Sequence, residues 1–212
     1  MLLLTHYYAV ETYLCEIAVD EKVEASRYGS FSTTRLSLLF ACLRSAKQFF
    51  ETFYAVPARV CFDIPYSTWT LFSHINVVIS KLSLCVVDGW DNNYVSETLD
   101  LHTVLDKFSE KAGEAVQLAS RSQEDTPSNN NLSRSVPLIF LTIDTKIKEI
   151  KAVHDARKAD LSRRLQPGRI PSEQAQVHDD SETPAQPESF TMIDTLDLFD
   201  FVDEPFWAQN WT

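Results

Sequence analysis

The sequence has few of the residues that build turns and sheets. Only four glycines occur in 212 residues, which is few for a β-rich or loop-rich protein. Hydrophobic residues make up 44% of the chain, enough for the core of one domain of ordinary size with a tail. The scarcity of glycine therefore favours a helical body.

The sequence also lacks the cysteine spacing of a metal site. Cys15, Cys42, Cys61 and Cys85 include no Cys-x-x-Cys pair, and structural zinc sites draw their ligands from such short loops. Cys15, Cys42 and Cys85 fall among helical apolar residues, where a free thiol behaves as a small core residue. We therefore expect no structural metal and a reducing, intracellular compartment.

Long apolar runs are missing as well. The segment Met1–Leu4 is too short for the core of a signal peptide, has no basic flank, and is followed by His6 and Glu11. No apolar run reaches the length that crosses a bilayer. The sequence predicts neither a secretory signal nor contact with a membrane.

Basic residues are absent from the end of the chain, since no Lys or Arg follows Arg169. Ten of the 30 acidic residues lie there, which leaves 20 acids against 19 bases in the preceding part. The chain is thus a nearly neutral body followed by an acidic tail. Because phosphate binding needs basic charge, this distribution argues against direct contact with nucleic acid.

No catalytic motif is present, whether G-x-S-x-G, H-E-x-x-H or a glycine-rich phosphate loop. His74 lies near an apolar helical face and is interpreted as a core histidine. His102 and Asp106 are one helical turn apart, but no nucleophile is placed beside them. His154 is assigned to a charged helix face, and His178 to a disordered stretch. We expect no catalytic residue, no cofactor and no enzymatic activity.

The sequence does contain a succession of helical apolar stripes. In the first, Leu3, Tyr7, Val10, Leu14 and Ile17 are spaced by four and three residues, as on one face of a helix. Because this helix begins at the first residue, its apolar face indicates either missing upstream helices or a surface that needs a partner.

The next two helices flank a proline-rich corner and form the expected core. The second helix should begin near Ser32 or Thr33 and stop before Pro57, since the residue before a proline is pushed out of helical geometry. The third should follow Pro65 and end at Asp88-Gly89. The apolar positions predicted for these two helices are Leu36, Leu39, Phe40, Leu43, Ala46, Phe50, Phe53, Leu71, Ile75, Val78, Leu82 and Cys85.

Two further helices complete the predicted bundle. The fourth runs from Asn92 or Asn93 to Ala119 and precedes a polar linker over 120–134. The fifth begins near Ser135 and becomes rich in Lys and Arg interleaved with acids, which is typical of a solvated face. Its predicted apolar face consists of Ile139, Ile143, Ile147, Ile150 and Val153.

These patterns divide the chain into three parts. Residues 1–166 form an all-α domain, a bundle of about five helices. Residues 167–189 are rich in Pro, Ser, Glu and Gln and lack aromatics, so they cannot bury enough surface to fold and form a disordered linker. Residues 190–212 form a terminal segment of different composition.

The terminal segment mixes bulky apolar residues with acids, a composition typical of disordered activation domains. Repulsion between the carboxylates keeps the apolar groups available, and on a partner's groove they can form a short helix. Alternatively, the segment packs back onto the body as one more helix. The two states can also coexist, with the tail docked when the protein is inactive and released when it is active. The residues expected to contact a coactivator are Leu196, Phe199, Phe201, Phe206, Trp207 and Trp211.

Four short phrases, in this order, resemble one family: Tyr-Leu-Cys-Glu-Ile at 13–17, Ala-Lys-Gln-Phe-Phe at 46–50, Ile-Pro-Tyr-Ser-Thr-Trp at 64–69 and Gly-Trp-Asp at 89–91. The series resembles fungal-specific transcription factors of the binuclear zinc cluster class, over residues 2–112 and more loosely to Arg164. In that family a helical middle homology region follows an N-terminal DNA-binding cluster of six cysteines.

The resemblance implies a nuclear transcription regulator that activates a pathway gene set through coactivators or other transcription machinery. The Cys-x2-Cys-x6-Cys half-cluster and the basic linker after it are absent from this sequence, so no DNA-contacting or zinc-binding residue carries over. We therefore expect pairing with a DNA-binding partner protein or a homodimer. The alternatives are a helical ligand-binding protein or enzyme with an unrecognised pocket, and a truncated fragment of a longer regulator.

Overall fold

The structure, a computed structural model, describes residues 1–19, 33–124, 136 and 138–165. Within these ranges the chain forms α-helices and two short 3-10 segments, Glu16–Ala18 and Ala58–Asp63, and no strand. The predicted all-α class is confirmed. The helices are α1 (Leu2–Cys15), α2 (Thr33–Tyr54), α3 (Tyr66–Ser83), α4 (Asn92–Thr98), α5 (Leu101–Glu124) and α6 (Leu138–Arg164).

The core lies where α2, α3 and α5 meet, and it is built from aromatic rings. The ring of Phe72 on α3 lies 4.8 Å from that of Phe53 on α2 and 4.6 Å from that of Phe108 on α5. Trp69 extends the cluster to Phe140 on α6, at 5.7 Å. Each such pair adds about 0.5–1.5 kcal/mol beyond the buried area, so the rings join helices from distant parts of the sequence.

The predicted apolar face of α2 is largely confirmed, because Leu39, Leu43, Ala46, Phe50 and Phe53 are all buried. Leu36 is only half-buried, and Phe40 is the exception, with 44% of its surface exposed. Its ring instead packs at 5.0 Å against Trp90, which follows α3. The helix ends at Tyr54, which agrees with the predicted stop before Pro57. Pro57 directly precedes the 3-10 segment Ala58–Asp63.

The prediction that α3 ends at Asp88-Gly89 was wrong, because the helix ends at Ser83. The indole nitrogen of Trp90 donates a hydrogen bond of 3.0 Å to the carbonyl of Leu82. The chain reaches this position through a turn in which Gly89 has a φ of +83°, a conformation that favours glycine. A Cβ atom at position 89 would also lie 3.1 Å from a methyl carbon of Leu36.

The predicted fourth helix is in fact two helices, α4 and α5, separated at Leu99 and Asp100. Leu99 is extended, with φ −154° and ψ 87°. A carboxylate oxygen of Asp100 then accepts hydrogen bonds from the backbone N–H and the hydroxyl of Thr103, at 2.8 and 2.9 Å. This is the arrangement of a helix N-cap, and it starts a new helix where the sequence analysis expected continuity.

The fifth predicted helix corresponds to α6, and it buries Ile143, Ile147 and Ile150 as expected. Val153, which was also assigned to this face, is 41% exposed, whereas its neighbour His154 is buried. The assignment of His154 to a charged face was therefore wrong. The linker assigned from Ser120 also begins too early, because α5 continues to Glu124.

Candidate interaction surface

Helix α1 packs on α2 through a face of small residues. Thr5, Ala9, Thr12 and Cys15 are buried on this side. The hydroxyls of Thr5 and Thr12 donate to the carbonyls one turn earlier, Met1 at 3.3 Å and Tyr8 at 2.8 Å. Each hydroxyl is thus satisfied within its own helix, which lets the two helices approach without an unpaired polar group between them.

The apolar stripe predicted for this helix points away from the body. Its members are 51–85% exposed, and Leu4 and Tyr13 widen it with exposures of 48% and 64%. An apolar stripe of this kind usually packs into the core. These side chains do not, since they remain exposed. The stripe consists of Leu3, Tyr7, Val10 and Leu14 on α1 and Ile17 in the 3-10 segment that follows it, and we call it the outer face of α1.

An apolar surface of this extent is unusual on the outside of a protein. Single exposed apolar side chains are common, but contiguous patches of several hundred Å² mark sites of contact with other molecules. An open apolar cleft of about 500 Å³ continues the patch, between the start of α1 and the segment Ala58–Asp63. Leu2, Leu3, Val60 and Ile64 line this cleft.

Three polar contacts fix the segment at the end of α1 to the body. Glu16 lies 2.8 Å from Nε2 of His74 and 2.8 Å from Nζ of Lys81, both on α3. Burial alone would raise the pKa of Glu16, but His74 and Lys81 lower it to about 2. Separately, the Nε–H of buried Arg35 donates to the carbonyl of Ala18 at 2.8 Å. The outer face is therefore carried by an anchored helix.

The predicted carboxylate–imidazole pair on α5 does not form. His102 lies 3.0 Å from Asp155 on α6 instead, and Asp106 pairs with Lys151 on α6 at 2.5 Å. The side chains of His102 and Asp155 are 34% and 60% exposed, so this pair lies at the surface. It joins α5 to α6.

His154 makes a second cross-helix contact, with Nδ1 3.1 Å from the hydroxyl of Ser80 on α3. Burial, and then the nearby charge of His102, lower the pKa of His154, which favours the neutral ring. Both Ser80 and His154 are buried. A serine hydroxyl beside a histidine can act as a nucleophile only where a substrate reaches it, and Ser80 is 1% exposed.

The described residues hold no group of three His, Cys, Asp or Glu side chains placed to bind a metal ion. All four cysteines are free and buried, and burial raises the pKa of the thiols of Cys15, Cys42 and Cys61, which makes them less reactive. Among the described helices, none is long and apolar enough to cross a membrane.

The residues predicted to contact a coactivator, Leu196, Phe199, Phe201, Phe206, Trp207 and Trp211, lie outside the described residues. The same holds for the predicted linker over 167–189 and for the boundaries that separate it from the body and from the terminal segment. These assignments remain predictions from the sequence.

Comparison with known proteins gives one relative with a stated role. Transcription factor opdL of Penicillium oxalicum is 30% identical to this chain over 128 residues, which is 59% of the chain and 22% of opdL. No family model matches the chain, and no solved structure gives a significant match. The chain is thus related to a fungal transcription factor, of which it matches less than a quarter, and the relationship supports a regulatory role.

Proposed function

We propose that this chain is a regulator of transcription that contributes regulatory and activating regions but does not read DNA itself. The observation that carries the proposal is its relationship to transcription factor opdL over 128 residues. The predicted resemblance to the middle homology region of zinc cluster regulators is part of the same proposal.

The histidine contacts support a regulator rather than an enzyme. Three histidines of the described part of the chain join separate elements of the fold. His74 joins α3 to the 3-10 segment after α1, His102 joins α5 to α6, and His154 joins α6 to α3. Sites for small ligands combine mostly apolar walls with a few convergent polar groups that orient the ligand, whereas the cleft beside α1 is open and Asp63 is the charged residue among its lining side chains.

The charges of α6 support the absence of direct DNA contact. Lys146 pairs with Glu149 at 2.8 Å, Lys151 with Asp106 at 2.5 Å, and Arg164 with Asp160 at 2.7 Å. A DNA-binding helix presents cations that are free to meet phosphates. Because these three cations have acidic neighbours, and because 20 acids balance 19 bases up to Arg169, we assign DNA recognition to a partner protein.

Activation is assigned to the terminal segment 190–212, where acids separate the aromatic residues. Such segments bind coactivators by laying an apolar helical face into a groove. This function places the protein in the nucleus and gives it the transcription machinery as its partner.

A reporter assay tests the activating role. Residues 186–212 are fused to a heterologous DNA-binding domain in a fungal host, and reporter output is compared with that of the DNA-binding domain alone. We expect strong output that falls to background when Phe199, Phe201, Phe206 and Trp207 become alanine, because the anchors of the docking helix are lost.

The matched control is the same 186–212 fusion in which four polar residues, Gln186, Ser189, Thr191 and Gln209, become alanine. This fusion should keep its output at equal expression. The activating role is rejected if the wild-type segment gives no output, or if the output survives the loss of all four aromatic residues.

A further inference from the structure

The outer face of α1 has the spacing of a coiled-coil seam. Its five residues, from Leu3 to Ile17, follow one another at intervals of four, three, four and three, which is the alternation of a and d positions in a heptad. In this register Leu3, Val10 and Ile17 occupy d positions, and Tyr7 and Leu14 occupy a positions. All five are exposed, so the seam is not used within the described part of the chain.

The opposite side of α1 is already buried. Thr5 and Thr12, the two f positions of this register, are fully buried in the body, together with Ala9 and Cys15. Isolated helices of this length are marginal in water, but α1 is held by its packing on α2 and by the contacts of Glu16. It therefore presents its seam as a preformed surface, and pairing costs little ordering entropy.

We propose that the outer face of α1 binds the same face of a second copy of this chain, with the two α1 helices parallel. The apolar side chains available to such an interface, from Leu3 to Ile17 with Leu4 and Tyr13, are 48–85% exposed, whereas an interface needs contiguous apolar surface of this kind at its centre. The inference rests on the geometry of α1 and stands independently of the proposed function.

Charge favours a second copy over the chain's own terminal segment. That segment carries five acids, Asp194, Asp197, Asp200, Asp203 and Glu204, and needs cations around its docking site. Helix α1 contains no Lys or Arg. A self-pairing surface needs no such cations, and a nearly uncharged face meets its copy without repulsion.

Charge also favours the parallel orientation. His6 and Glu11 flank the seam at g and e positions, and in a parallel pair the g residue of one helix faces the e residue five positions later in the other. Nδ1 of His6 already contacts the carbonyl of Leu2 at 2.9 Å, which leaves Nε2 for Glu11 of the second copy. An antiparallel pair brings e beside e and g beside g, and so separates His6 from Glu11.

Sedimentation equilibrium of the full chain tests the pairing. We expect a mass about twice the 24.2 kDa of one chain at micromolar concentration, and a return to 24.2 kDa for Val10→Glu, because the seam buries its middle residue. The matched control is Leu141→Glu, which places the same charge at an exposed position of α6. This control should remain dimeric, and both variants should keep the wild-type far-UV circular dichroism.

Cysteine cross-linking tests the orientation. Leu3→Cys should form an intermolecular disulfide on treatment with a mild thiol oxidant, because a parallel pair brings the two copies of residue 3 together, whereas an antiparallel pair places residue 3 near the far end of the other helix. Leu141→Cys is the control and should not cross-link, and the four native cysteines are buried.

Three results would overturn the proposal. A wild-type chain that stays at 24.2 kDa at high micromolar concentration excludes the second copy. A dimer that survives Val10→Glu uses another surface, and a dimer in which Leu3→Cys does not cross-link excludes the parallel arrangement. If the chain is monomeric but becomes dimeric when Phe199, Phe201, Phe206 and Trp207 are replaced by alanine, the terminal segment is the occupant instead.

Discussion

Helices α1 and α2 carry apolar stripes of the same spacing, yet only one stripe is buried. On α2 the side chain of Leu43 is 2% exposed, whereas on α1 the side chain of Leu14 is 70% exposed. The spacing predicts which residues share a face of a helix, but it does not predict what covers that face. Which residues pack on the face depends on the neighbouring helices that the rest of the chain supplies.

The neighbours of the two helices explain the difference. Helix α2 lies between α1 on one side and the aromatic residues of α3 and α5 on the other. Helix α1 contacts mainly α2 and α3, and it meets α2 through small residues that allow close approach. Its large apolar residues are therefore left on the outside.

The largest expected effect is that of truncating the buried leucine of α2. Leu43→Ala should lower the free energy of unfolding by about 2–5 kcal/mol, because it removes buried methyl groups and leaves a cavity. Urea unfolding followed by circular dichroism measures the change. A loss below 1 kcal/mol would mean that the core around α2 is loosely packed and would remove the contrast with α1.

The features that depend on a local sequence pattern could be predicted from the sequence. The apolar face of α2 and the burial of Ile143, Ile147 and Ile150 on α6 followed from helical spacing. The burial of His154 could have been predicted, because Ile143, Ile147, Ile150 and His154 keep the intervals of four and three better than Val153 does. The break at Asp100 also had a local signal, since an Asp three residues before a Thr can cap a helix.

The contacts between distant residues could not be predicted in the same way. Glu16 is separated from Lys81 by 65 positions, and no local pattern indicates that they meet. His102 was assigned to Asp106 because the two are one turn apart, but α6 supplies closer partners for both. The exposure of the outer face of α1 belongs to this class, because it depends on which helices pack nearby.

The next effect concerns the contact that fixes α1 to the body. Glu16→Gln should lower stability at pH 7 by about 2–3 kcal/mol, less than a fully buried ion pair because His74 and Lys81 are partly exposed. The pKa of Glu16 is lowered on folding to about 2. The stabilisation is therefore fully present above the ordinary carboxyl pKa, near 4.5, and is lost as the pH falls toward 2.

Urea unfolding at several values between pH 7 and pH 3 measures this dependence. The difference between the wild type and Glu16→Gln should shrink as the pH falls through the lower part of this range. Glu149→Gln is the matched control, since Glu149 is 56% exposed and pairs with Lys146 on the same helix, and its effect should stay below about 0.5 kcal/mol. Parallel curves for the wild type and Glu16→Gln would show that Glu16 is not paired in solution.

The smallest expected effect is that of the same leucine truncation on α1, and it sharpens the comparison most. Leu14→Ala should change the free energy of unfolding of the monomer by no more than about 0.5 kcal/mol, because exposed side chains lose few contacts when shortened and alanine favours the helix.

Unfolding is measured at a low protein concentration, where the outer face of α1 has no second copy bound to it, and again at a high concentration. If the face binds a second copy, the wild type gains stability with concentration, and Leu14→Ala gains less of it. A loss of 2 kcal/mol or more at low concentration would show that Leu14 is already covered within one chain, and the two helices would then differ only in which segment covers them.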